Sequence, residues 1–413
     1  MNSKTNEISM CEVCGNENLS PVLNLGMHPM CDDLVPFNND RSCVEYPIEI
    51  LFCKKCLTAH QKYQVPKQDL FPQTYHYRSR FTADVLSGMK ALVESCKKQF
   101  GELEGKTVLD IGCNDGSLLD HFKINGAKTI GIEPTGAVDD AGAKGHFIYN
   151  EFLSEKVANR IIANNGKPDF ITFTNVFAHI ENLNEVLSSL KLLISAKTVI
   201  VIENHYLGSI LDGNQFDTFY HEHPRSYSYT SFKYMVASLG MKILNVEFPS
   251  RYGGNIRVFM GSKEMEKFDY NEDSLVDKES KFIEAFETMS TNIEKWKKTK
   301  KDTIITQVNK HGRLRAKAFP GRAAILIKLL DLNENHISAV YEKPGSMKIG
   351  NYLPGTRIPI YSDEELFASK EDIAPILNLA WHISTEIEKY MTSNNMRSNL
   401  IDLLSIDDFI EEL

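Results

Sequence analysis

The sequence predicts an α/β protein in three parts: a small cysteine-bearing module at the N-terminus, a central doubly wound parallel sheet, and a second α/β unit at the C-terminus. Three observations carry this. Two C-x-x-C pairs, Cys11 with Cys14 and Cys53 with Cys56, stand near the N-terminus. From Thr107 onward, short apolar runs alternate with amphipathic stretches, the rhythm of strands joined by crossover helices. The same rhythm restarts after residue 310.

Length and composition set the bounds. A chain of 413 residues, 42% hydrophobic and 24% charged, is an ordinary globular protein of two or three domains. Its start, MNSKTNEISM, has no apolar segment of a secretion signal, and no run approaches the roughly 18 apolar residues of a membrane helix. The expectation is a cytoplasmic protein with no membrane partner. A formal net charge of -9 repels phosphate backbones and argues against nucleic acid, while leaving room for a small anionic ligand in a local basic pocket. Oligomeric state is not written in the sequence.

Paired cysteines in a chain without an export signal read as a zinc site. Each pair holds one edge of the metal in a tight turn, and four thiolates close a tetrahedron with no open position, so the zinc is structural. The gap of 38 residues between the pairs exceeds the usual ribbon spacing, which keeps a redox or disulfide role as the alternative. Cys31, Cys43, Cys96 and Cys113 stand singly and read as buried or incidental thiols. The module spans 1–68. Residues 80–100 then read as an amphipathic helix leading into a central domain, 69–265. Its strand candidates are TVLDI, KTIGI, HFIYN, DFITFTNV and TVIVIEN, with VANRIIANN and LNEVLSSLKLLI as intervening helices. A helical connector, 266–310, carries a packing stripe of Leu275, Phe282, Phe286, Met289, Ile293 and Trp296, and its Lys297, Lys298, Lys300 and Lys301 read as a solvated end. RLRAKAF, HISAVYEK and APILNLAW are strands of the last unit, 311–413.

The loop DIGCNDG, Asp110 to Gly116, has the form D-x-G-x-x-x-G and not the G-x-G-x-x-G of a dinucleotide fold, which disfavours a nicotinamide dehydrogenase. Gly112 and Gly116 would let a ligand approach the backbone at a strand's carboxyl end. The pattern suits S-adenosylmethionine, which carries an amino-acid tail and no pyrophosphate. Glu133, ending the second strand, would accept from both ribose hydroxyls, Asn150 and Phe152 would lie near adenine, and Asp110, Asn114 and Asn175 complete the expected cofactor set. The competing explanation is a pair of glycine turns that merely pack helix on strand.

FYHEHPRSYSY, residues 219–229, holds two histidines, a glutamate, three tyrosines and an arginine. His221 and His223 are two apart, so this is no helical zinc-protease motif, and Pro224 keeps His223 out of helical conformation. A loop is predicted, with a density of titratable groups that points to chemistry.

CEVC with CKKC, DIGCNDG, NVFAHI, FDTFYHEH, YGGNIRVF and YLPGTRIPI, in that order, resemble S-adenosylmethionine-dependent sugar C-methyltransferases, which make branched deoxysugars from nucleotide-linked ketosugars. The resemblance covers essentially the whole chain. It implies an N-terminal zinc-binding module, a central Rossmann-like class I methyltransferase domain and a C-terminal α/β substrate-binding domain. It places the catalytic tyrosine, glutamate and histidine on Tyr220, Glu222 and His223, an upstream histidine on His179, and a tyrosine after the zinc module on Tyr75 or Tyr77. Arg225 and Asn255 join these tyrosines as expected substrate contacts. On this reading His223 is the base that removes the proton beside the sugar carbonyl, Glu222 supports it, and Tyr220 or His179 donates to the enolate oxygen. Three departures imply an altered substrate. The family's G-Y-G-A-P-A-K-G turn becomes AKAFPGRA at 316–323 and its D-R-N-P-like element becomes EKPGS at 342–346; the leucine and serine usual after YHEH become Pro224 and Arg225. The rivals are an O- or N-methyltransferase on the same fold and a non-catalytic, zinc-stabilised binding protein.

Overall fold

The computed structural model describes residues 5–70, 78–81, 83–369 and 371–410. They divide into two units: Met1–Ser20, Leu51–Ser209 and Glu222–Phe282 form one, and Pro21–Ile50, Ile210–His221 and Ile283–Leu413 the other.

The first unit is organised by a seven-stranded sheet. Its strands are β1 (Thr107–Ile111), β2 (Lys128–Ile132), β3 (Phe147–Tyr149), β4 (Phe170–Thr174), β5 (Val199–His205), β6 (Lys242–Glu247) and β7 (Asn255–Gly261), in the order β6-β7-β5-β4-β1-β2-β3. Only β7 runs against the rest. FITFT and VIVIEN are near-continuous β-branched and aromatic runs because these central strands are covered on both faces. The crossover helices start where the sequence supplies caps: Ser154 accepts from the Val157 amide to open α3 (Glu155–Asn165), and Asn182 accepts from the Glu185 amide to open α4 (Leu183–Leu193). They follow α1 (Ala83–Phe100) and α2 (Ser117–Ile124), whose Val85, Met89, Leu92, Leu118 and Phe122 pack with Val108, Val199 and Phe259 of the sheet.

β6 and β7 are absent from the sequence expectation. Asn255 and Arg257 interrupt the apolar pattern of β7, yet the whole strand is buried. The reason is a fully buried carboxylate on β5. Glu203 takes Arg251 Nη1 at 3.0 Å, Arg257 Nε at 2.7 Å and the Asn255 amide at 3.1 Å, so the polar groups neutralise one another across the strand pair.

The second unit carries a five-stranded parallel sheet of β8 (Leu314–Lys317), β9 (Ile337–Glu342), β10 (Ile360–Ser362), β11 (Ile376–Asn378) and β12 (Leu400–Asp402), in the order β10-β9-β8-β11-β12. The charged connector is two helices, Glu272–Glu279 and Phe282–His311, with Leu275 on the first and the rest of the apolar stripe buried on the second. Trp296 is fully buried and donates to the Leu403 carbonyl at 3.0 Å. The lysine run does not end the helix, which continues to His311: Lys298 is exposed and Lys297 and Lys301 partly so, as expected, whereas Lys300 is buried against the Asp402 carbonyl (2.8 Å) and Asp408 (2.7 Å). Ala318, standing where the resembling family has glycine, has a left-handed backbone (φ 61), a conformation that favours glycine. Among the described residues no helix is long and apolar enough to cross a membrane.

Candidate active site and zinc centre

The sulfurs of Cys11, Cys14, Cys53 and Cys56 lie within 4.8 Å of one another, with 3.3 Å between Cys11 and Cys56 and 3.6 Å between Cys14 and Cys53. Zinc–sulfur bonds of about 2.3 Å in a tetrahedron set sulfur separations of about 3.8 Å, so the cage has the right size. Sulfurs this close resist ionising together. Its hydrogen bond to Cys53 drives the Cys11 thiol up to about 12, while Cys53 is drawn down by Cys11 and Cys56. A divalent cation removes that conflict by holding all four as thiolates. The cluster is a structural zinc site.

In the central sheet the order reverses between β1 and β4, the crevice where open α/β sheets take ligands beyond the strand carboxyl ends. The loop after β1 turns through three left-handed residues, Gly112 (φ 72), Asn114 (φ 49) and Gly116 (φ 75). A Cβ on Gly112 would lie 2.6 Å from the Val176 side chain, so the loops after β1 and β4 meet only because this residue is glycine. Gly116 faces the His146 ring, 2.8 Å from where its Cβ would stand, and serves packing. Glu133 accepts the Asn114 amide on Oε2 and the Thr135 amide on Oε1, both at 2.9 Å, with the Thr135 hydroxyl also on Oε1 at 2.5 Å; this latches the loops after β1 and β2 together and leaves acceptor capacity on Oε2. Asp110 lies behind the loop, pushed up to about 7 by burial and bonded by the Thr172 hydroxyl at 2.6 Å. Along the same edge, Thr174 Oγ1 and Asn255 Oδ1 are buried without a hydrogen-bond partner among the described residues. A close-packed glycine turn, a carboxylate at the end of β2 and unsatisfied polar atoms at the ends of β4 and β7 fit a ligand with ribose hydroxyls and an amino-acid tail.

Beyond β4 the chain makes a 3-10 turn, Phe177–His179. His179 Nδ1 lies 2.8 Å from the Glu222 carbonyl oxygen. A carbonyl only accepts, so in this contact Nδ1 carries the proton. Burial pulls this histidine down to about 4, which keeps it neutral near pH 7. The His223 ring stands 4.8 Å from His179 and 5.3 Å from His205, the last residue of β5. Three imidazoles from three segments therefore converge. His205 was missed from the sequence because the strand reading stopped at TVIVIEN, one residue short.

The other expected site residues divide. Asn175, left-handed (φ 54), accepts on its side chain from Asn255 at 3.3 Å and so stands at the same edge. Asn150 donates to the Glu133 backbone carbonyl at 2.8 Å, tying β3 to β2, and Phe152 is 38% exposed with Lys67 over its ring. Tyr220 lies in the second unit, half-buried. His221 is buried in the second unit, its ring against Tyr46 and its Nε2 on the Tyr46 carbonyl at 3.2 Å. Arg225, expected to meet substrate, is fully buried and bonded to Glu12, Tyr227 and the Glu181 carbonyl, so its guanidinium is engaged inside the fold. Tyr75 and Tyr77 lie outside the described residues.

Comparison with known proteins matches three consecutive stretches of the chain. Residues 81–246 match the family described as a methyltransferase domain, residues 250–400 a C-methyltransferase C-terminal domain, and residues 11–71 a zinc binding domain. The chain is an S-adenosylmethionine-dependent methyltransferase. A curated relative, the C-methyltransferase NovU of Streptomyces niveus, is 26% identical over 403 residues, 94% of each chain. Among solved structures, the methyltransferase is similar over 48% of its length to 98% of the PH0226 protein of Pyrococcus horikoshii OT3 (14% identity, TM-score 0.37). It is similar over 44% to 80% of magnesium protoporphyrin IX methyltransferase from Synechocystis PCC 6803 (14% identity, TM-score 0.33).

Proposed function

We propose that the methyltransferase alkylates the carbon beside the carbonyl of a nucleotide-linked ketosugar, with the histidine cluster handling the proton that carbon must lose. The zinc module, methyltransferase domain and substrate-binding domain follow one another along the chain, with residues 21–50 of the first counted in the second compact unit. The observation that carries the reading is the convergence of His179, His205 and His223, with the His179 tautomer set by the Glu222 carbonyl. A carbon acid becomes nucleophilic only after deprotonation, whereas a hydroxyl or amine needs far less help. S-adenosylmethionine supplies an electrophilic methyl when bound, and Glu133 with the Gly112 loop would hold it.

His223 takes the α-proton and the C–H electron pair passes into the enolate, whose carbon would then be nucleophilic toward the methyl that bound S-adenosylmethionine would supply. General-base catalysis of this kind contributes about 10²–10⁴-fold. His179 enters differently from the sequence expectation. With its Nδ1 proton committed to the Glu222 carbonyl, it is a neutral imidazole beside His223 and the second candidate to take the α-proton.

The test separates deprotonation from methylation. In deuterated water with S-adenosylhomocysteine and a nucleotide-linked ketosugar, the wild-type enzyme should incorporate deuterium at the α-carbon. His223→Asn should abolish the uptake. Wild-type uptake by both His223→Asn and His179→Asn would overturn the assignment.

A further inference from the structure

Two residues beyond His223, the chain enters the strand Arg225–Ser226, which pairs antiparallel with Thr58–Gln61: Arg225 lies opposite His60 and Ser226 opposite Ala59. That partner strand begins two residues after the zinc ligand Cys56. We propose that Arg225 is a positioning residue for the reaction: it pins both histidine-bearing loops to the first zinc knuckle. This rests on the reading of His223 and His179 as the proton-handling pair.

The guanidinium is fully buried and reaches three segments at once. Nη1 meets Glu12 Oε2 at 2.6 Å, and Glu12 lies inside the first C-x-x-C pair. Nη1 and Nη2 both donate to the Glu181 carbonyl at 3.4 Å, two residues past His179. Nε donates to the Tyr227 hydroxyl at 2.9 Å, closing its own loop. Glu12 is held in turn by Gln64 Nε2 at 2.7 Å and faces His60 Nδ1 at 3.5 Å. The Gln61 amide donates to the Pro224 carbonyl at 2.9 Å, fastening the backbone just before Arg225. Only a rigid planar fork with five donors serves partners in three directions; a lysine ammonium could meet Glu12 but not the others in fixed geometry. A serine, usual here in the resembling family, would reach none of the distant partners. The zinc centre therefore sets the registry of His179 against His223 while standing apart from the chemistry, and buried ion pairs of this kind serve registry better than stability.

Hydrogen exchange on the zinc-loaded full-length enzyme tests this, alongside kinetics. Arg225→Met should keep its zinc and its affinity for S-adenosylmethionine. Amide exchange in 176–183 and 222–228 should accelerate by about tenfold or more, and turnover should fall by about 10²-fold with KM little changed, the usual effect of misplacing a catalytic group by about 1 Å. Arg225→Lys should recover part of both. Unchanged exchange in the two segments, or loosened segments with undiminished turnover, would overturn the positioning role. If Arg225→Met does not fold, Glu12→Gln replaces it: the same two segments should loosen to a smaller extent, and unchanged exchange there overturns the proposal. His223→Asn with undiminished turnover would instead overturn the reading beneath it, so the two failures are distinct.

Discussion

At the scale of single residues, the molecule keeps histidines neutral by burial. His179 and His221 are both pulled from 6.5 to about 4 by burial, offset only in part by their hydrogen bonds to backbone carbonyls. Unfolded, each takes up a proton as the pH falls below 6.5; folded, each waits until about 4. Through that window the unfolded chain binds more protons, so stability is fully present above it and falls as the pH drops through it, by on the order of 1–3 kcal/mol per histidine. Denaturant melts between pH 7 and 4.5 should show this slope, and His221→Gln should flatten it; an unchanged slope removes His221 from the effect. The ribose-binding role proposed for Glu133 makes a second prediction. Glu133→Ala should weaken S-adenosylmethionine about ten- to hundredfold by calorimetry, the loss of a charge-assisted hydrogen bond. Wild-type affinity would take Glu133 out of the site. His179 and His223 were legible in the sequence through their motifs, whereas the His179 tautomer was not: it depends on a carbonyl on another loop. Arg225 was misread for the same reason, since its partners Glu12 and Glu181 are remote in sequence and nothing local announces its burial.

At the scale of elements, glycine and left-handed residues show where packing overrides propensity. Gly88 sits inside α1, where alanine would ordinarily gain about 0.5–1 kcal/mol. Here a Cβ would stand 1.8 Å from Arg251 Nη1, the guanidinium that pairs with buried Glu203. Gly88→Ala should therefore destabilise by about 1–3 kcal/mol in urea melts, and a stabilised variant would contradict the packing described. Ala318 makes the opposite prediction. Relief of its left-handed strain by glycine, less the added freedom of the unfolded chain, should stabilise by about 0.5–1 kcal/mol. The strands β1 to β5 were legible because both faces are covered and their sequences are plainly apolar. β7 was not, because Arg257 and Asn255 look like surface residues until Glu203 is seen opposite them.

At the scale of the whole molecule, the three-part build was legible from punctuation: paired cysteines, a glycine loop after an apolar run, and a second alternation of strand and helix. What the sequence does not display is that residues 21–50, between the zinc-ligand pairs, fall with the C-terminal α/β unit. Cys53→Ser should lose the metal and lower the thermal midpoint, because a three-thiolate remnant no longer closes the cage; retained zinc by metal analysis would overturn the site. The central claim is that this enzyme makes a carbon–carbon bond after removing a carbon-bound proton, and one measurement tests it most directly. Nucleotide-linked ketosugars carrying ¹³C in the ring are incubated with the enzyme and S-adenosylmethionine labelled with ¹³C in its methyl group, and the products are read by NMR. A one-bond coupling between the new methyl and the carbon next to the carbonyl is expected, absent with His223→Asn; a methyl on oxygen or nitrogen, with no such coupling, would overturn the carbon-acid mechanism.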